Sequence, residues 1–168
     1  MRTRKSHRES RGRIVVGTDG SHASVAAVRW ALDAAQQTDS WLDVVLVRSP
    51  AIDFGWLGTP PIHGWAQESG LAGHLLLARL LDTVTEPVPE IVRTFVIEGD
   101  PAECLIAHAH GADVLVLADR GTGGFLGLRL GSVASACSVG ASCPVLIVPS
   151  GRRTDLDPAP RTTTGALS

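Results

Sequence analysis

The chain has 168 residues, of which 44% are hydrophobic and 19% charged, and its formal net charge is -2. That length suits one domain with a full-sized core. The composition excludes a disordered chain, and the charge gives no overall positive field that would hold a nucleic acid.

Residues 1–11 are basic and polar, with one lysine, Lys5, and no apolar stretch behind them. They read as a flexible arm rather than a secretory signal. No apolar run reaches the roughly 18 residues needed to cross a bilayer, so a cytoplasmic location is expected. Cys104, Cys137 and Cys143 form an odd set without a CxxC pair, as expected of reduced thiols.

Gly12 to Thr18 is a short apolar run closed by the turn-forming group Thr18-Asp19-Gly20-Ser21, so a first strand should deliver Asp19 to the edge of a sheet. From Ser21 or His22 to Gln37, Ala23, Ala27, Trp30, Ala31 and Ala34 recur at helical spacing. Leu42 to Val47 is nearly continuously apolar, as in a strand covered on both faces. Ser49 to Gly64 is rich in proline and glycine and reads as a loop carrying Phe54, Trp56, Leu57 and Ile62.

Helical spacing resumes from about Gln67 to Thr85 through Leu71, Leu75, Leu76, Ala78, Leu80, Leu81 and Val84, and Pro87 and Pro89 end it. Glu90 to Ile97 is the third strand. Asp100 is placed to cap a helix that has Pro101 in its first turn and runs to about His110. Asp113 to Ala118 is the fourth strand, Ser132 to Val139 a helix and Pro144 to Val148 the fifth strand. Residues 151–168 lack periodicity and read as a disordered tail. Alternation of strands and helices over residues 12–150 predicts one α/β domain with an open parallel sheet and helices on both faces.

The segment between strand four and the last helix is a glycine-rich loop leading to a helix start, which favours an anion. It is neither a Walker A loop, since no lysine is near, nor a dinucleotide fingerprint, which would follow the first strand with different glycine spacing. Its spacing is Gly121, nine residues, then Gly131-Ser132.

With this pattern, and with VVGTDGSHASVAAVRWA, VIEGDPAECLIAHA, ADVLVLADRGTGGFLGLRLGSVA and CPVLIV, the chain resembles the universal stress protein family over residues 13–149. The resemblance implies five parallel strands in the order 3-2-1-4-5, a homodimer through the strand at Pro144–Val148, and ATP or a related adenine nucleotide between strands one and four. By position it implies Thr18, Asp19 and Gly20 near the ribose, with Asp19 also near a nucleotide-bound Mg2+. It implies backbone at Arg48 or Ser49 for the adenine, and Ala118, Arg120, Gly121, Gly131, Ser132 and Val133 around the phosphates.

Two positions depart from the family pattern. Ala118 stands where the pattern begins with glycine, which is tolerable only if its backbone is in the β region. Asp119 would repel a triphosphate unless its charge is offset. Arg120 and Arg129 are candidate phosphate partners. Cys104 and His108 stand four residues apart on a helix, but no second cluster completes a metal-ligand pattern. No nucleophile and base are arranged for catalysis, so the expected role is a nucleotide-dependent signalling or regulatory module with slow ATP hydrolysis at most. The alternative is a dimeric interaction protein of the same fold that no longer binds nucleotide.

Overall fold

The structure, a computed structural model, describes residues 11–48, 65–120 and 130–150. Residues 1–10, 49–64, 121–129 and 151–168 lie outside the described residues, and with them Ser49, Gly121 and Arg129. In chain order the elements are β1 (Arg13–Thr18), α1 (His22–Gln37), β2 (Trp41–Arg48), α2 (Trp65–Val84), β3 (Val92–Glu98), α3 (Pro101–His108), β4 (Val114–Ala118), α4 (Ser132–Gly140) and β5 (Val145–Val148). The strands form one sheet in the order β3-β2-β1-β4-β5, and every pairing is parallel. This is the expected α/β architecture, with β1 and β4 adjacent where the chain reverses its direction of winding.

Period-two alternation along the strands supplies two cores. Ile14, Val16, Leu42, Val44, Leu46 and Val116 pack beneath α1 and α2. Val15, Val45, Leu115 and Leu117 face the other way, with Leu105 of α3 and Ala134 and Cys137 of α4. Gly17 permits a close approach on that second face. A Cβ there would lie 2.7 Å from Leu117 Cδ2 and 2.9 Å from Leu105 Cδ1.

The helical faces differ from those expected. In α1 the buried face is Ser24, Ala27, Val28, Ala31, Leu32 and Ala35, whereas Trp30 is 43% exposed. The face is rotated because Ser24 can be buried with its hydroxyl satisfied. In α2 the core is made by Leu77, Leu80 and Leu81, while Leu71, Leu75 and Leu76 are exposed. α3 stops at His108, two residues before the expected end, ahead of Gly111 with its φ of 73°, and Arg13 binds the carbonyls at and just past that end. The guanidinium donates to His108 O at 3.1 Å and to His110 O at 2.6 Å.

β2 is not purely apolar either. Asp43 is 1% exposed and is held at the amino end of the sheet by three side chains. Arg93 Nε donates to its Oδ1 at 2.7 Å, while Arg13 Nη1 and His108 Nε2 lie 3.3 and 3.2 Å from its Oδ2. A buried carboxylate needs such partners, because an unpaired charge would cost several kcal/mol in desolvation, on the order of 3–5. Above it Trp41 lies close to two guanidinium carbons, Arg11 Cζ at 5.3 Å and Arg93 Cζ at 5.1 Å from its ring centroid. Arg11 also pairs with Asp39 at 2.9 Å.

Candidate functional site

The carboxyl end of the sheet is built from the ends of β1 and β4 and the start of α4. β1 pairs with β4 from Ile14 opposite Val114 to Val16 opposite Val116, and the same register carried forward sets Thr18 level with Ala118. Thr18 is 7% exposed and its hydroxyl is consumed by the turn. Ser24 Oγ donates to Ser21 O at 2.8 Å. With that proton so directed, the Thr18 hydroxyl donates to Ser24 Oγ at 2.8 Å and accepts the Gly20 N–H at 3.1 Å. Thr18 therefore shapes the site by holding the turn.

Asp19 follows at the sheet edge, where its Oδ1 accepts the Ser21 N–H at 2.9 Å, an Asx turn that fixes the carboxylate beside the start of α1. Gly20 has φ of 75°, a left-handed conformation that glycine adopts without strain. Ser21 then caps α1, its side chain accepting from Ser24 N.

On the other side, Ala118 is the last residue of β4, in strand conformation and in register with Val148. The condition under which a methyl group is tolerated is met. The Asp119 carboxylate accepts the Ser150 N–H at 3.0 Å through Oδ1, while its backbone N–H donates to Val148 O at 3.0 Å. The hydrogen bond to Ser150 ties β4 to the end of β5 and holds the carboxylate in place, but it favours the charged form rather than cancelling it. Arg120 is exposed beside it.

Gly131 N donates to Asp119 O at 2.8 Å and so fastens the start of α4 to the end of β4. Gly131 is the N-cap of α4, with φ of -67° and ψ of 158° and no side-chain cap. α1 and α3 begin differently: Ser21 caps the first, and Asp100 caps the second by accepting Glu103 N at 3.0 Å. Of these three helices, α4 alone presents its first-turn N–H groups, at Ser132 and Val133, without a side-chain acceptor. Such groups and the helix dipole favour an anion.

Thr18, Asp19, Gly20, Ala118, Arg120, Gly131, Ser132 and Val133 are thus gathered at one sheet edge. Arg48 ends β2 at the same edge, and its carbonyl accepts the Gly99 N–H at 2.9 Å. Cys104 and His108 diverge instead. The thiol lies 3.8 Å from Glu98 O, and the imidazole reaches Asp43. Among the described residues no group of three or more His, Cys, Asp or Glu is placed to hold a metal ion, and no helix is long and apolar enough to cross a membrane.

Sequence reasoning missed the Asp43 cluster, for which a charged residue inside an apolar strand was the available signal. Cys137 is buried and Cys104 and Cys143 are partly buried, as expected of reduced thiols, and the Cys137 thiol is pushed up to about 11 by burial, with smaller contributions from Asp100 and Cys143.

Comparison with known proteins identifies the family and agrees with the fold. The family model of the universal stress protein family matches residues 10–149. A universal stress protein of Mycolicibacterium smegmatis is 36% identical over 141 residues, covering 83% of this chain and 46% of its own length. One from Mycobacterium tuberculosis is 30% identical over 142 residues, covering 80% and 44%. The chain therefore spans about half the length of these curated relatives. Among solved structures, a universal stress protein in complex with cAMP is similar with a TM-score of 0.60 and 26% identity, covering 83% of this chain and 97% of that one. UspA from Lactobacillus plantarum shares the fold with a TM-score of 0.64 at 23% identity, covering 82% and 97%. On the profile match and these relatives, the chain belongs to the universal stress protein family.

Proposed function

We propose that the protein binds an adenine nucleotide, ATP in the first instance, at the carboxyl edge between β1 and β4, and acts as a nucleotide-dependent regulatory module of the stress response. The observation that carries this reading is the start of α4, which has no side-chain cap and follows β4 at the same sheet edge to which β1 delivers Asp19. A crevice at the point where strand order reverses is where open α/β sheets hold ligands. The relative that is solved with cAMP supports an adenine nucleotide as the class.

In this reading the N–H groups of Ser132 and Val133 hold phosphate oxygens, with Arg120 and the segment at Gly121 beside them. Asp19 accepts a ribose hydroxyl or joins the coordination of nucleotide-bound Mg2+, for which the phosphates supply most of the oxygen ligands. Backbone at Arg48 or Ser49 faces the adenine. Hydrolysis in this reading is slow at most, because the chain brings few cations to this edge to stabilise a leaving phosphate.

A second copy is the natural cover for β5, an edge strand of four apolar residues, Val145–Val148, that is only half-buried. A dimer through this strand is part of the proposal, and Leu146→Asp should yield monomer or insoluble protein in light scattering.

Calorimetry with ATP, AMP and Mg2+-free ATP tests the nucleotide reading. Saturable one-to-one binding is expected, and absence of heat with all three ligands would leave the alternative, a dimeric interaction protein without nucleotide.

A further inference from the structure

Beside the β1–α1 turn, sharing Gly20 with the β1–β4 edge but none of its other site residues, a groove of about 550 Å³ runs between α1 and α2. Its walls are Val25, Leu75, Leu76 and Leu80, and its charged or ionisable lining residues are His22 and Arg79, with no aspartate or glutamate among them. Gly20 closes one end, where a Cβ would lie 2.5 Å from Leu76 Cδ2. At the other end Arg29 Nη2 donates to Thr83 O at 3.2 Å and ties the two helices together. Leu75 is 52% exposed and Leu76 37%, so the groove leaves apolar surface in water that an apolar ligand would cover.

From this combination we propose that the groove binds the acyl chain of a free fatty acid, with its carboxylate at Arg79 and His22. The volume lies within the range, roughly 300–1,000 Å³, of pockets that hold small molecules. The chemistry selects the class. Leucine walls accept methylene groups but offer no hydrogen bonds, while the Arg79 guanidinium is opposite in sign to a carboxylate and the His22 imidazole has an N–H that can donate to it. Among the described residues, no hydrogen bond or ion pair engages the Arg79 guanidinium within the chain. A nucleotide is a poorer occupant, since the lining carries no carboxylate for a ribose and no aromatic ring for a base.

The test is displacement of a fluorescent fatty acid from the full-length protein by dodecanoate, kept below its micelle concentration and without nucleotide. One site per chain is expected. Arg79→Gln, or replacement of dodecanoate by its methyl ester, should weaken binding by about tenfold, the effect of losing one charge-assisted hydrogen bond. Leu75→Asp, at an exposed position, should abolish binding, and both variants should keep the wild-type affinity for ATP. Equal dodecanoate affinity in wild type and Arg79→Gln would overturn the proposal. So would parallel loss of ATP and dodecanoate affinity in Leu75→Asp, which would make the groove part of the nucleotide site. A wild-type dimer dissolved by Leu75→Asp would assign the groove to a second copy. Association with phosphatidylglycerol vesicles but not with dodecanoate would assign it to a membrane surface, and either result would overturn the proposal.

Discussion

The two ends of the sheet treat their polar groups in opposite ways. At the amino end, Asp43 meets Arg13, Arg93 and His108, Arg13 also binds the carbonyls of His108 and His110 at and just past the end of α3, and Asp113 Oδ2 accepts the Arg13 N–H at 2.6 Å. Donors and acceptors there answer one another within the chain. At the carboxyl end, the turn after β1 is internally bonded, but α4 starts without a side-chain acceptor. The first arrangement stabilises the fold, and the second leaves donors available to an anion. Buried charge in this molecule is therefore answered within the fold, whereas the uncapped start of α4 is the place where the proposed ligand would find donors.

The largest expected effect falls at the amino end. Asp43→Asn strips the charge from a site faced by two guanidinium groups, and removal of one partner of a buried ion pair costs about 3–5 kcal/mol. Urea unfolding should show that loss, while ATP affinity of the folded fraction stays at the wild-type value. A fall in ATP affinity without a fall in stability would break the division of roles between the two ends.

Asp19→Ala should do the reverse, lowering ATP affinity by about tenfold, or ~1.4 kcal/mol, and stability by no more than about 1 kcal/mol, because Ser21 still caps α1. Calorimetry and urea unfolding on the same preparation separate the two effects. Cys137, on the inner face of α4, is fully buried. Its folded pKa is raised from 9.0 to about 11, so the folded state holds the proton more tightly than the unfolded state. Stability is fully present below pH 9 and is lost as pH rises toward 11. Cys137→Ala should flatten that part of the stability profile, and in the native protein Cys104 and Cys143 should be alkylated before Cys137.

Asp119→Asn is expected to have the smallest effect. The amide oxygen can still accept the Ser150 N–H, so stability should fall by about 0.5–1 kcal/mol and nucleotide affinity should change by no more than about twofold. A large gain in affinity would show that the Asp119 charge opposes the ligand despite its backbone partner.

Local rules made much of the fold legible in the sequence. The Asp100 cap, Pro101 in the first turn of α3, the turn at Thr18 to Ser21 and the strand ends follow from short-range chemistry, and their positions agree with the structure to within a few residues. The strand order rested on resemblance to a family, since periodicity carries no information on which strands are neighbours. Asp43 escaped because its partners are 30, 50 and 65 residues away in sequence. The face of α1 was misjudged for a related reason. A serine reads as polar until Thr18 is found within hydrogen-bond distance of it, and only then is Trp30 released to the surface. At the carboxyl edge, sequence identified the residues that gather there but could not foresee that Asp119 would be engaged by Ser150.

Amide hydrogen exchange with and without ATP compares the two ends in one experiment. The account predicts slowed exchange on ATP addition at residues 19–24 and 131–135, with residues 39–43 and 108–113 unchanged. Protection confined to the amino end, or no protection at either end under saturating ATP, would contradict it.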